Sequence, residues 1–102
     1  MLTSHDIHFA AGHPTAAGHF PRNPIIPGAL LLDEVLRVLA AETGTHAVIV
    51  RSAKFFRPVR PGDGLRVMWQ GLAGGAINFE CRLVESAVLV ASGRVEMAVR
   101  PA

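Results

Sequence analysis

Cysteine is almost absent from this 102-residue chain: Cys81 stands alone, so no internal disulfide can form. Charge is scarce as well. Charged residues make up 18% of the chain, and ten basic against eight acidic residues leave a formal charge of only +2. A dedicated nucleic-acid binder carries a dense basic stripe, and that class is excluded. No long apolar run occurs. The longest, Ala87–Ala91, is far below the roughly 20 residues that a bilayer span needs. The opening stretch MLTSHDIHFA has neither the basic start nor the apolar segment of a secretory leader. A reducing, cytoplasmic setting is the expectation.

Apolar material is abundant. Half of the residues are hydrophobic, so a packed core is expected and wholesale disorder is not. The length fits one domain over 1–102. A domain of this size buries roughly 60–70% of its unfolded surface, and a dimer interface would hide more.

Periodicity divides the chain. Ser4–Ala10 reads as a short strand, with Ile7 and Phe9 alternating against His8. Ala11–Pro27 is a loop stiffened by Pro14, Pro21, Pro24 and Pro27. Gly28 to about Glu42 reads as a helix: Leu32, Val35, Leu36 and Leu39 recur at helical spacing, joined by Leu31 and Val38. Apolar residues cover most of its circumference, so burial on several sides is expected. Gly44 is placed to end it as a left-handed cap. Strands follow at His46–Phe56, Leu65–Gln70, Ile77–Leu83 and Ala87–Arg100, separated by RPVRPGDG, Ala73–Gly75 and Glu85–Ser86. Cys81 alternates with Ile77, Phe79 and Leu83, which makes it a core thiol. One apolar helix followed by an antiparallel meander implies an α+β fold with the sheet curled around the helix.

Three residues carry candidate chemistry. His19 lies in the proline-rich loop, and imidazole is the side chain best suited to act as a base near neutral pH. Asp33 sits among Leu30, Leu31, Leu32, Val35 and Leu36, and desolvation there would favour its protonated form. Gly28 opens the helix, where its N–H is free to polarise a carbonyl oxygen at the positive end of the dipole. Plainer readings stand beside these. A loop histidine is commonly a surface residue, and Pro27-Gly28 is also a simple helix start. Arg37 follows Asp33 at i+4, a spacing that makes an ion pair and would hold the acid ionised.

The run from His19 to Asp33, HFPRNPIIPGALLLD, resembles the signature HFPGxPIxPGxLxxE/D of the 3-hydroxyacyl-(acyl carrier protein) dehydratases, the FabA/FabZ-like hotdog family. The later segment KFFRPVRPGD, Lys54–Asp63, is similar to that family's K-F-x-x-P-V-x-P-G-D turn. The resemblance implies a hotdog fold, an antiparallel β-sheet wrapped around a long central helix. It implies that His19 takes the α-proton of a (3R)-3-hydroxyacyl thioester and that the Gly28 N–H holds the thioester oxygen. Asp33, from a partner subunit, would protonate the departing hydroxyl to leave the trans-2-enoyl thioester. No cofactor is implied beyond the phosphopantetheine of the acyl carrier protein that bears the substrate. Phe20, Leu30 and Leu31 are candidates to line the acyl channel; Arg37, beside the acid, is a further substrate-binding candidate.

Departures from the signature are as telling. Arg22 replaces a glycine after His-Phe-Pro, and Arg37 replaces a glutamine four residues after the acid. The compact form looks like dehydratases of specialised polyketide-type pathways such as aryl polyene synthesis. Arg51, Lys54, Arg57 and Arg60 form a basic run that, with Arg22, would meet an acidic carrier; a solvated strand edge explains the same residues. His13 is a weaker candidate for the channel entrance. His5, His8 and His46 have no carboxylate or cysteine at ligand spacing, so no metal site is expected. Homodimers, higher homo-oligomers or pairing with a second hotdog chain remain open. So do two other activities: a non-catalytic acyl- or carrier-binding hotdog subunit, and a hotdog acyl thioesterase.

Overall fold

Alternating apolar and polar residues dictate the sheet. In the computed structural model, which describes residues 3–10 and 25–99, five strands and one helix form. They are β1 (Thr3–His8), α1 (Gly28–Thr43), β2 (Thr45–Phe55), β3 (Gly64–Gly71), β4 (Ala76–Leu83) and β5 (Leu89–Val99). All pairings are antiparallel, and the strand order across the sheet is β1-β3-β4-β5-β2. This is the element content that the hotdog resemblance implies.

One face of the sheet carries Leu65, Val67 and Trp69 of β3, Ile77, Phe79 and Cys81 of β4, and Ala91, Val95 and Met97 of β5, all buried. Register explains the continuity: Val67 lies opposite Cys81, which lies opposite Ala91. Burial pushes the Cys81 thiol up to about 12, so it is a core hydrophobe rather than a nucleophile. The helix contributes Leu31, Val35, Val38 and Leu39 to the same core. It ends as expected at Gly44 (φ 66°, ψ 30°), whose N–H bonds the Ala40 carbonyl. It is not long and apolar enough to cross a membrane.

Three expectations change. The helix is buried on one face rather than several. Ala29, Asp33, Arg37 and Ala41 are exposed, because the helix lies across one face of the sheet and its other side is open among the described residues. The last strand starts at Leu89, not Ala87. Ala87 takes a left-handed conformation (φ 61°) to close the β4–β5 hairpin, its N–H bonding the Leu83 carbonyl at 2.9 Å. Finally, β2 has no buried residue, although half of it is apolar in sequence. It is an edge strand, and its pairing with β5 is interrupted at Ala47/Ile49 and Val50/Ser52. Opposite this irregular stretch, β5 carries Gly93. A Cβ there would strike the Ser52 carbonyl oxygen and come within 2.7 Å of the Phe79 ring.

Candidate active site

Proline, glycine and an aromatic ring shape the start of α1. The Pro27 carbonyl accepts the N–H groups of Leu30 and Leu31, and no side chain caps the helix. The Gly28 N–H has no acceptor among the described residues, so it stands free at the positive end of the helix dipole. Phe55, on the helix side of β2, lies over Gly28. Its ring atoms are 3.3–3.4 Å from where a Cβ would stand, so any side chain there would crowd the ring and push it by a few tenths of an ångström.

Two hydrogen bonds brace this corner. Ile26 N–H bonds Val59 O at 2.7 Å, tying the stretch before the helix to the stretch after β2. Phe56 N–H bonds Val90 O at 2.7 Å. Between them lies a hollow of about 330 Å³, walled by Ile26, Gly28, Leu31, Phe55, Phe56 and Arg57 among others. Its lining side chains are apolar apart from the exposed Arg57, and Gly28 is part of its wall. Such a space can hold an acyl thioester with its carbonyl oxygen on the amide.

Asp33 differs from expectation in its surroundings. The apolar neighbours in sequence do not enclose it, because they turn to the core while Asp33 turns away and is exposed. The expected Asp33–Arg37 pair does not form either. Arg37 Nη1 lies 3.0 Å from Glu34 Oε1, one turn back, and the Asp33 carboxylate has no partner among the described residues. At 3.6 residues per turn, Gly28 and Asp33 point about 140° apart around the helix.

The remaining candidates fall apart into groups. His19, Phe20, Arg22 and His13 lie outside the described residues. Leu30 is half-buried and packs against the core; Leu31 is a core residue that also lines the hollow. The basic run is not one patch. Arg51 is paired with Glu96 at 3.2 Å, and Lys54 lies with Arg94 on the outer face of the sheet. Arg57 stands at the hollow, and the Arg60 N–H is taken by Asp63 Oδ2 at 2.8 Å in the following turn. Phe55, Phe56 and Glu34 went unremarked in sequence. Strand alternation across KFF would have put Phe55 on the helix side, and the i, i+3 spacing would have offered Glu34 to Arg37.

A larger hollow, about 460 Å³, lies between β1 and the β4–β5 turn and shares no wall with the first. Two of its three carboxylates are engaged: Asp6 accepts two bonds from Arg66, which hold it below the usual carboxylate range, and Asp63 accepts the Arg60 N–H; the third is Glu85.

Residues 3–94 match the ApeI-like family, described as ApeI dehydratase. Among curated proteins, the 3-hydroxyacyl-[acyl-carrier-protein] dehydratase FabZ of Brucella melitensis biotype 2 is 35% identical over 94 residues, covering 80% of this chain and 60% of that protein. FabZ of Wolbachia pipientis from Culex pipiens is 36% identical over 75 residues, covering 63% and 52%. The chain thus spans only 52–60% of the length of these two relatives. Among solved structures, the dehydratase heterocomplex ApeI:P from Xenorhabdus doucetiae superposes with a TM-score of 0.78 at 19% identity, covering 95% of this chain and 87% of that one. That likeness shows the hotdog fold.

Proposed function

The chain belongs to the ApeI-like dehydratase family, and from that premise we propose that it dehydrates a (3R)-3-hydroxyacyl thioester carried on acyl carrier protein. The product is the trans-2-enoyl thioester. His19 removes the α-proton, and the electron pair moves onto the thioester oxygen held by the Gly28 N–H. The pair then returns to form the double bond as the C–O bond at the β-carbon breaks. Asp33 supplies the proton that lets the hydroxyl leave as water. The thioester carbonyl acidifies the α-proton, so the reaction calls on no cofactor beyond the carrier's phosphopantetheine.

The observation that carries this reading is the pair of groups on α1 left unengaged among the described residues: an N–H without an acceptor at Gly28 and a carboxylate without a partner at Asp33. Their divergence around the helix supports a site shared between two chains, Asp33 of one facing Gly28 and His19 of the other. The exposed apolar β2 edge, with Val48, Ile49 and Val50, suits that pairing. Phe20, Leu30 and Leu31 line the acyl path in this reading. Arg57, at the hollow, and Arg22 meet the acidic carrier, while Arg51, Lys54 and Arg60 add more distant positive charge. The single reduced thiol fits a cytoplasmic setting.

The Xenorhabdus neighbour is a heterocomplex, which favours one second reading: a half-site completed by a different hotdog chain. The test is mass detection of enoyl thioester from a 3-hydroxyacyl carrier thioester. His19→Ala and Asp33→Asn are each expected to lose activity by at least about 100-fold. Full activity in either variant rejects the assigned role. Turnover only after a second hotdog protein is added selects the half-site. Free thiol without enoyl product makes the chain a thioesterase.

A further inference from the structure

The salt bridge on the outward side of α1 bears on how the acid stays usable. Asp33 and Arg37 are about 40° apart around the helix, whereas Glu34 and Arg37 are about 60° apart. Spacing alone therefore favours the Asp33 pair, and an aspartate bound to a guanidinium is held ionised. A carboxylate so held cannot hand a proton to a departing hydroxyl. The structure shows the other choice: Arg37 Nη1 is 3.0 Å from Glu34 Oε1.

Glu34 is the less exposed member of this pair. Its side chain is 30% exposed against 72% for Arg37, and it lines a small hollow of about 160 Å³ with Ile7, His8, Phe9 and Ala10 at the end of β1. Arg37 is thus drawn toward the β1 side of the helix and away from Asp33. We infer that Glu34 is a positioning residue: it captures the Arg37 guanidinium and keeps the Asp33 carboxyl free to act as the acid. The inference rests on the dehydratase reading for its purpose, though not for its geometry. It also gives a reason for Arg37 to stand where the family signature has glutamine, since its charge is neutralised one turn back.

The test compares the wild-type chain with Glu34→Gln and with the double variant Glu34→Gln/Arg37→Gln, in whichever assembly turns over. In Glu34→Gln the guanidinium is released to Asp33, and kcat is expected to fall by up to about five-fold with KM little changed, the upper end for one solvent-exposed ion pair. The double variant regains most of that loss, which a merely structural role for Glu34 would not allow. Unchanged kcat in Glu34→Gln, or a loss that the double variant does not repair, overturns the inference. A wild-type chain that forms no enoyl product in any assembly removes the dehydratase reading instead. The geometry is then decided by a crystal structure of Glu34→Gln: Arg37 on Asp33 upholds the capture, and Arg37 still turned from Asp33 overturns it.

Discussion

β4 and β2 both pair with β5, one on each side, yet they follow different plans. β4 buries Ile77, Phe79 and Cys81 and exposes Asn78 and Glu80 in strict alternation. β2 buries nothing and leaves Val48, Ile49, Val50 and Phe55 between 38% and 57% exposed. Both have a partner strand on β5, so hydrogen bonding does not separate them. What differs is the second neighbour. β4 has β3 beyond it and a full layer of side chains on its inner face; β2 is an edge, and the helix touches it without covering it. The central sheet is complete within one chain. The β2 edge is an exposed apolar surface, whereas the outward side of α1 is largely polar, carrying Asp33 and Arg37.

Truncating the finished core should cost most. Leu39→Ala removes a side chain with no exposure, and stability is expected to drop by about 3 kcal/mol. A shift of the urea midpoint at unchanged slope measures it, and a loss below about 1 kcal/mol would show that the helix–sheet layer is looser than its burial implies.

Charging the unfinished region should leave the fold alone and break assembly. With Val48→Lys and Val50→Lys together, light scattering is expected to report single chains while the far-ultraviolet circular dichroism stays that of the wild type. Turnover is lost in the two-chain reading, because Asp33 of one chain then no longer meets Gly28 and His19 of another. An assembly that survives both lysines puts the interface elsewhere and leaves β2 an ordinary edge.

The smallest effect is expected at the β4–β5 hairpin, inside the finished region. Ala87 holds φ at 61°, a conformation that costs a residue with a Cβ about 1 kcal/mol or more. Ala87→Gly should raise stability by about 0.5–1 kcal/mol. An unchanged melting temperature would mean that the turn bears no such strain.

Legibility in the sequence followed the range of the forces involved. The alternation in Ile77–Leu83 and Leu65–Gln70 was plain, since a half-buried strand imposes period two on its own residues. The left-handed cap at Gly44 was plain for the same local reason. Asp33 was misread because sequence neighbours are not spatial neighbours on a helix: Leu31 and Val35 turn to the core while Asp33 turns from it. Arg37 was misread because i, i+3 and i, i+4 partners compete, and the winner is set by what holds each carboxylate. The Phe55 ring over Gly28 joins residues 27 positions apart, and only the packing of β2 beside α1 brings them together.

The sequence alone determined the family, the hotdog element order and the identity of the candidate base, acid and oxyanion amide, because motif spacing and periodicity are written along the chain. Tertiary structure alone decided which groups are left unengaged. Phe55 covers Gly28 and β2 stays uncovered among the described residues, since both depend on surfaces that meet only once the sheet has closed against the helix; the choice of Glu34 by Arg37 is local to α1 but is visible only in the structure.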